Sequence, residues 1–183
     1  MQTINVIAFG GLGGAVFSAG LKTILMRLQR IEGIDYCTYE DYASWRRWAQ
    51  TLRGWRDPTV LIGHSFGVTA ALAVARSLRD AGGGPRLPLL VAFDPSRWWW
   101  CNPALMASGG NAVPDTIKGV VNFYQASGPI GRQKLYRESG SQAGIENRLI
   151  AGTIHSRIED RRDLQDATVN AVRLVIDTLK QAA

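Results

Sequence analysis

The chain has 183 residues, of which 46% are hydrophobic and 20% are charged, a balance that is typical of an ordered globular protein and excludes a disordered one. This length provides one proper hydrophobic core and little room for a second, so we expect a single domain over residues 1–183. Two cysteines are too few for a disulfide framework, and neither Cys37 nor Cys101 has a metal-ligand neighbour at short spacing, so we expect no metal and no cofactor.

The formal net charge of +6 raises the question of a nucleic-acid partner. Most arginines fall on the polar side of predicted helices, and no helix-turn-helix pattern or zinc-finger spacing accompanies them. We expect a solvated basic surface and no nucleic acid, with attraction to an anionic substrate or surface as the alternative. No segment approaches the roughly 18 apolar residues of a membrane span. The first residues enter a strand without a basic leader, which predicts a cytoplasmic protein.

Apolar strand-like runs alternate with helical stretches, which is typical of a parallel sheet covered by helices on both faces. In chain order the predicted elements are a strand over 4–9, a helix over 16–30, a strand over 34–39, a helix capped by Asp41, a strand over 59–62, a helix over 68–78, a strand over 87–93, an irregular insert over 96–118, strands over 119–125 and 148–153, and a helix over 163–179. The predicted fold class is α/β: a three-layer αβα sandwich with about six mostly parallel strands and no large cap domain.

A sharp turn joins the third predicted strand to the following helix, and its sequence is Gly63-His64-Ser65-Phe66-Gly67. A serine at the apex of such a junction has strained backbone dihedral angles, and the flanking glycines let the strand and the helix pass closely. Its hydroxyl stands clear of the sheet, and the helix N-terminus presents backbone N–H groups to a developing oxyanion. The pattern predicts that Ser65 is a nucleophile.

A nucleophilic serine needs a base, and the chain has two histidines. The His64 side chain should diverge from its neighbour Ser65, so His64 cannot readily take the serine proton. His155 follows a predicted strand at the carboxyl edge, where parallel sheets keep their sites. His155 is therefore the predicted base, and a structural surface histidine is the alternative.

A third group should orient the imidazole of His155. Asp94 is the predicted one, because it ends the strand that follows the helix after Ser65. Asp94 is alternatively a turn residue before Pro95, or a cap for the next segment. The weaker candidates for the acid are Asp115, Asp160 and Asp163.

The turn around Ser65 resembles the nucleophile elbow of the α/β-hydrolase superfamily, and the order Ser65, Asp94, His155 is that of the superfamily's triad. The superfamily most often carries its acid after the following strand, which here ends at Gln125-Ala126-Ser127 and supplies no carboxylate. Asp94 matches the minority of members whose acid lies one strand earlier. Two N-terminal strands of larger members are missing, so the chain resembles a minimal hydrolase of cutinase size.

Short motifs are similar to those of small bacterial and phage hydrolases of lipase or thioesterase type. The motifs are Asp94-Pro95, Asn122-Phe123-Tyr124-Gln125, Asn147 and Gly152-Thr153-Ile154-His155. The resemblance implies an oxyanion hole formed by the N–H groups of Phe66 and of Leu12 in the glycine-rich loop 10–14. Gly11 of this loop is a candidate substrate-binding residue. A phosphate-binding loop is the alternative, but the further spaced glycine of a dinucleotide fingerprint is missing and no Gly-Lys-Ser/Thr follows.

The run Arg97-Trp98-Trp99-Trp100 directly follows Asp94-Pro95. Trp98 and Trp99 are candidate substrate-binding residues that would form a wall or a small lid for an apolar acyl chain. The alternatives are a docking patch, which would allow peripheral contact with lipid or protein, and a cover for the edge of the sheet.

These features together predict a serine hydrolase that cleaves a small carboxylic ester or thioester through a Ser-His-Asp triad and an acyl-enzyme. One alternative is a non-catalytic binding module of the α/β-hydrolase fold, although such relatives usually lose the serine or the histidine. The other alternative is a phage or cell-envelope lipid esterase, which differs in target rather than in chemistry.

Overall fold

The computed structural model of the chain describes residues 3–14, 18–96 and 110–182. Six parallel strands form one sheet: β1 (Ile4–Gly10), β2 (Ile34–Asp41), β3 (Thr59–His64), β4 (Leu87–Phe93), β6 (Ile117–Gln125) and β8 (Gly144–Ile150). Their order across the sheet is β2-β1-β3-β4-β6-β8. Two short strands, β5 (Ala112–Val113) and β7 (Tyr136–Arg137), pair with each other outside this sheet.

Helices cover both faces of the sheet, as the alternating pattern predicts. The α-helices of the described residues are α1 (Ala19–Leu28), α2 (Trp45–Leu52), α3 (Phe66–Asp80) and α4 (Arg162–Gln181), and 3-10 turns span Tyr42–Ser44 and His155–Asp160. Along β1, Val6 and Ala8 pack in one apolar cluster with α1 and α4. Ile7 and Phe9 pack in the other, with α2 and α3. The three-layer αβα prediction is therefore confirmed.

The central strands bring their carboxyl ends to one edge of the sheet. Strands β3 and β4 are direct neighbours, and His64 pairs with Phe93 at their ends. The chain then continues into Ser65 and Asp94, and the Ser65 N–H donates to the Phe93 carbonyl oxygen over 2.9 Å. Strands β1, β3 and β4 are buried along almost their whole length, because helices cover them on both sides. Ser65 and Asp94 are thus held by the most enclosed part of the fold.

The β8 edge differs from the prediction. The sixth strand runs from Gly144 to Ile150 rather than over 148–153. Among the residues that the structure describes, it pairs only with β6, and its exposed centre carries the ion pair of Glu146 with Arg148 at 2.6 Å. Hydrophobic patterning finds a strand through its apolar run, and the first half of this strand is polar. That half pairs with β6 through its backbone and through a hydrogen bond of 2.8 Å from Asn122 Nδ2 to Asn147 Oδ1.

Most of the predicted irregular insert over 96–118 is made of residues 97–109, which lie outside the described residues. The candidate substrate-binding residues Trp98 and Trp99 belong to this range. The final part of the insert contains β5, and β6 begins at Ile117. The segment 126–147, which lies between two predicted strands, contains β7 and the first half of β8. The boundaries of these elements were therefore wrong, while the six-stranded sheet is confirmed.

Within the described residues, none of the helices combines the length and the apolar character that crossing a membrane requires. In the same part of the chain, His, Cys, Asp and Glu side chains do not gather in any group of three suited to a metal ion. Cys37 lies on β2, and burial raises the pKa of its thiol to about 11. That thiol is protonated at neutral pH and is a poor nucleophile.

Candidate active site

The turn after β3 has the strained geometry that the sequence predicts. Ser65 has φ 57° and ψ −121°, a conformation that non-glycine residues rarely adopt. A Cβ atom at Gly63 would lie 2.6 Å from backbone atoms of Val68, and one at Gly67 would collide with the Phe9 carbonyl group. Both glycines are needed because β1, β3 and α3 pass so closely at this point.

Three predicted residues meet at the carboxyl edge of the sheet. His155 Nε2 lies 2.9 Å from Ser65 Oγ, and His155 Nδ1 lies 2.7 Å from Asp94 Oδ2. The carboxylate can only accept, so Nδ1–H donates to Asp94 and a neutral imidazole leaves Nε2 free to accept from the Ser65 hydroxyl. This arrangement can remove the serine proton and can stabilise the imidazolium that results.

The loop after β6 supports Asp94 from the other side. Asp94 is fully buried, and its Oδ1 accepts from the N–H groups of Arg132 at 2.7 Å and Gln125 at 3.3 Å. Gly131 has φ 78°, and a Cβ there would collide with the Asp94 carboxylate. The end of β6 and the loop after it therefore supply backbone donors to the carboxylate that follows β4.

This supporting role of Gly131 and Arg132 was not predicted from the sequence. The available signal was the run Gly128-Pro129-Ile130-Gly131, whose Gly and Pro residues indicate a tight turn. Such a run predicts a turn but does not reveal which buried acceptor its amide groups face.

Phe66 and Leu12, the predicted oxyanion-hole residues, both line the cavity beside Ser65. Phe66 begins α3, so its N–H is one of the first-turn donors that a helix itself does not satisfy. Gly11 lies behind them: a Cβ on it would be 2.7 Å from Ser65 Cβ, and its N–H donates to Ser18 Oγ over 3.2 Å. Among the described residues, the cavity lining does not include Gly11.

The cavity beside Ser65 has a volume of about 500 Å³ and is predominantly apolar. Its apolar side chains are those of Leu12, Phe66, Pro129, Ile130 and Ile154. Leu12 and Ile154 are more than half exposed and stand at the mouth. No Asp, Glu, Lys or Arg belongs to the described part of the lining, so the cavity suits an uncharged apolar group better than an ionic one.

A second buried polar group lies behind His155 and was not anticipated as a unit. His64 is 1% exposed and Glu159 is 0% exposed, with His64 Nε2 3.5 Å from Glu159 Oε2. Burial, and then the Coulomb interaction with the His155 ring, lower the pKa of His64 to about 3. Burial, and then the negative charges of Asp160 and Asp94, raise the pKa of Glu159 to about 8. Both side chains are neutral near pH 7, and their contact is not an ion pair.

No protein-family model matches this sequence, and a search of curated proteins finds no match either. Solved structures do match. Human thioesterase 2 aligns with 97% of this chain and 97% of its own, at 10% identity and a TM-score of 0.62.

Two further matches have similar coverage. The RedJ thioesterase from the prodiginine pathway of Streptomyces coelicolor aligns with 93% of this chain and 85% of its own, at 16% identity and a TM-score of 0.61. An esterase of Pyrobaculum calidifontis aligns with 98% of this chain and 77% of its own, at 15% identity and a TM-score of 0.56. At such identities the likeness is one of fold: the chain has the α/β-hydrolase fold.

Proposed function

We propose that this chain is a serine hydrolase that cleaves a carboxylic ester or a thioester. Ser65 is the nucleophile, His155 the general base and acid, and Asp94 the group that orients His155. The observation that carries the proposal is the pair of contacts made by His155, 2.9 Å to Ser65 Oγ and 2.7 Å to Asp94 Oδ2, in a residue that also faces the apolar cavity. The fold it shares with thioesterases and an esterase supports the same chemistry.

In the first half-reaction Ser65 Oγ attacks the acyl carbon while His155 Nε2 takes the hydroxyl proton. The imidazolium keeps its Nδ1–H on the Asp94 carboxylate. The N–H groups of Phe66 and Leu12 stabilise the oxyanion of the tetrahedral intermediate. Collapse of the intermediate expels the alcohol or thiol, which takes the proton back from Nε2 and leaves an acyl-enzyme.

In the second half-reaction water attacks the acyl-enzyme. His155 Nε2 takes one proton of that water, and a second tetrahedral intermediate forms on Ser65. Its collapse returns the proton to Ser65 Oγ and releases the carboxylic acid. No group beyond the three side chains, the two amide donors and water is needed for the atoms and charges to balance.

The lining of the cavity favours an acyl group that is apolar and uncharged. Leu12, Ile130 and Ile154 would contact such a chain, and its burial would contribute about 25 cal/mol per Å² of apolar surface. Trp98 and Trp99 stay candidates for a further wall of this site. Either leaving group, alcohol or thiol, fits the same mechanism.

The test is intact-mass analysis after treatment with a fluorophosphonate, a probe that modifies an activated serine. We expect one adduct on the wild type, none on Ser65→Ala, and much slower labelling of Asp94→Asn. Ser96→Ala and Ser156→Ala are matched controls, because these serines also line the cavity, and both should label fully. Full labelling of Ser65→Ala would remove Ser65 as the nucleophile. Turnover of acyl esters and acyl thioesters of one chain length then separates the two substrate classes.

A further inference from the structure

The His64 side chain connects two segments on either side of the candidate site. Its Nδ1 lies 2.9 Å from Ser18 Oγ, and Ser18 Oγ accepts from the Gly11 N–H over 3.2 Å. Its Nε2 lies 2.9 Å from the backbone carbonyl oxygen of His155. His64 and Ser18 are both buried, so water does not compete for these contacts and each polar atom depends on its partner in the protein.

The protons along this path can run in only one direction. A carbonyl oxygen only accepts, so Nε2 carries the proton and donates to His155. The imidazole is neutral near pH 7, because burial lowers the pKa of His64 to about 3. Its Nδ1 therefore accepts from the Ser18 hydroxyl, and Ser18 Oγ in turn accepts from Gly11. The Nε2–H tautomer is thus fixed by the environment.

The hydrogen-bonded path from Gly11 through Ser18 and His64 to His155 connects segments of the site that no strand pairing connects directly. Gly11 precedes Leu12, whose N–H is a proposed oxyanion donor, and His64 precedes Ser65. The rings of His64 and His155 pack against each other, with centroids 4.9 Å apart at 34°. One buried side chain therefore contacts the base, adjoins the nucleophile and reaches the loop after β1 through one hydroxyl.

Glu159 is buried beside Nε2 of His64, and its carboxyl group is itself neutral near pH 7. Neither Glu159 carboxyl oxygen has a hydrogen-bond partner in the described part of the chain, and burial raises the pKa of this carboxyl to about 8. An ionised carboxylate 3.5 Å from Nε2 would favour a charged His64 ring. A positive His64 ring would then oppose the imidazolium that His155 must form.

We propose that His64 and Ser18 are positioning residues for the hydrolysis proposed above. The Ser18 arm holds the Gly10–Gly11 peptide through the Gly11 N–H, and this places the next peptide so that the Leu12 N–H faces the oxyanion. The His155 arm fixes the backbone of the base so that its ring faces Ser65. The inference rests on the proposed function for its kinetic consequences, but the proton direction along the path can be measured without turnover.

Two substitutions of His64 cut one arm each. The amide nitrogen of His64→Gln falls close to the place of Nε2, so this variant keeps the His155 arm and loses the Ser18 arm. The amide oxygen of His64→Asn falls close to the place of Nδ1, so that variant keeps the Ser18 arm and loses the His155 arm. Ser18→Ala cuts the Ser18 arm from its other end. Thr69→Val is the control, because it removes a buried hydroxyl that has no hydrogen-bond partner among the described residues.

The kinetic experiment measures kcat and KM on p-nitrophenyl butyrate, per active site titrated with a fluorophosphonate, so that unfolded protein does not count. We expect Ser18→Ala and His64→Gln to lower kcat about tenfold, which is less than the effect of losing an oxyanion donor completely. KM should be unchanged, and so should the acid limb of the pH profile of kcat/KM. His64→Asn should lower kcat by about 10- to 100-fold and move the acid limb, since the base itself is displaced. Thr69→Val should stay within about twofold of wild type.

A purely structural role predicts another result: fewer active sites that react with the fluorophosphonate, but a normal kcat for each site that does. Values of kcat within about twofold of wild type for both Ser18→Ala and His64→Gln would overturn the proposal. The direct measurement is ¹⁵N NMR of the imidazole nitrogens, which is simple to assign in a chain with two histidines. We expect a protonated Nε2 and an unprotonated Nδ1 for His64, and the opposite tautomer would also overturn the proposal. Failure of the proposed function shows instead as absent labelling and turnover of the wild type.

Discussion

The centre of the sheet and its β8 edge contribute to the candidate site in different ways. Ser65 and Asp94 follow β3 and β4, which are buried and paired on both sides. His155 follows β8, which pairs on one side and exposes much of its length. The backbone of the sheet therefore fixes Ser65 and Asp94, whereas the position of His155 depends on side-chain contacts with Asp94, Ser65 and His64. Burial of the strands positions Ser65 and Asp94, and hydrogen bonds position His155.

The largest effect should come from the two residues on the central strands. We expect Ser65→Ala to abolish hydrolysis and Asp94→Asn to lower kcat by about 10⁴-fold, because an amide cannot hold the Nδ1–H tautomer in the same way. Both variants should unfold at denaturant concentrations close to that of wild type. Steady-state kinetics on p-nitrophenyl butyrate and urea unfolding test this. An Asp94→Asn enzyme with more than about a tenth of wild-type kcat would assign the acid to another carboxylate.

A substitution in the loop after β6 should displace the Asp94 carboxylate while Asp94 itself stays in place in the sequence. Gly131→Ala places a Cβ against the Asp94 carboxylate, so we expect kcat to fall by about 10- to 100-fold. Gly140→Ala is the matched control, because Gly140 has φ 81° against 78° for Gly131 and a Cβ there meets nothing within 4 Å.

Both alanine variants carry the strain of positive φ, about 1 kcal/mol each, so urea unfolding should show a loss of stability in both. Only Gly131→Ala should also lose activity. Equal kcat in the two variants would contradict the role of this loop in holding Asp94.

The buried pair behind His155 should give the unfolding free energy a pH dependence with two limbs. The pKa of Glu159 is raised from 4.5 to about 8, so the folded protein holds a proton that the unfolded chain has released, and this contribution is lost as pH rises through about 8. The pKa of His64 is lowered from 6.5 to about 3, so below pH 6.5 the unfolded chain binds a proton that the folded protein does not. This second contribution is lost as pH falls.

The two effects oppose each other between the ordinary values of 4.5 for Glu159 and 6.5 for His64. We therefore expect a plateau there, and a loss of about 1.4 kcal/mol per pH unit as pH rises from 6.5 to about 8 or falls from 4.5 to about 3. The titratable groups that face the pair are His155, Asp94, Asp160 and Tyr39. Urea unfolding at about pH 5.5, 7 and 8.5 measures the alkaline limb. The neutral variant Glu159→Gln should lack that limb, and a limb that persists in it would assign the effect to another group.

The smallest effect concerns the cavity mouth. Ile154 is 56% exposed and lines the cavity, whereas Leu149 on β8 is equally exposed and does not. We expect Ile154→Ala to lower kcat/KM for an octanoyl ester about fivefold more than for an acetyl ester, since about 1 kcal/mol of apolar contact is lost. Leu149→Ala should leave the ratio unchanged. A uniform loss for both esters in Ile154→Ala would place the acyl chain elsewhere.

The central strands were predictable because burial on both faces leaves a continuous apolar run in the sequence. The strand over 87–93 has the bounds that its apolar pattern predicts, and the turn after β3 follows from its glycines. At the β8 edge this signal is weak, since Glu146 and Arg148 sit mid-strand and backbone pairing alone extends it to Gly144.

For the candidate site, Ser65, Asp94 and His155 could be selected from motif order, and the structure brings them into contact. What could not be predicted is everything that depends on distant segments meeting: the Arg132 amide on Asp94, and Ser18 on His64. These contacts span 38 and 46 residues of chain, and no local pattern encodes them. The exclusion of His64 as the direct proton acceptor of Ser65 stays a prediction, and in the structure both ring nitrogens of His64 contact other groups, Ser18 Oγ and the His155 carbonyl oxygen.

Ser65 and Asp94 share positive φ angles of 57° and 47°, which suit glycine far better than serine or aspartate. Each such residue costs roughly 1–3 kcal/mol of strain. Asp94 offsets this strain through the buried hydrogen bonds that its carboxylate accepts from Gln125, Arg132 and His155, whereas the Ser65 hydroxyl contacts only His155 among the described residues. Selection for heat resistance alone would therefore enrich glycine at Ser65, and a library screened only for survival at high temperature would lose that hydroxyl. Screening for thermostable variants of this protein has to be coupled to turnover at every round.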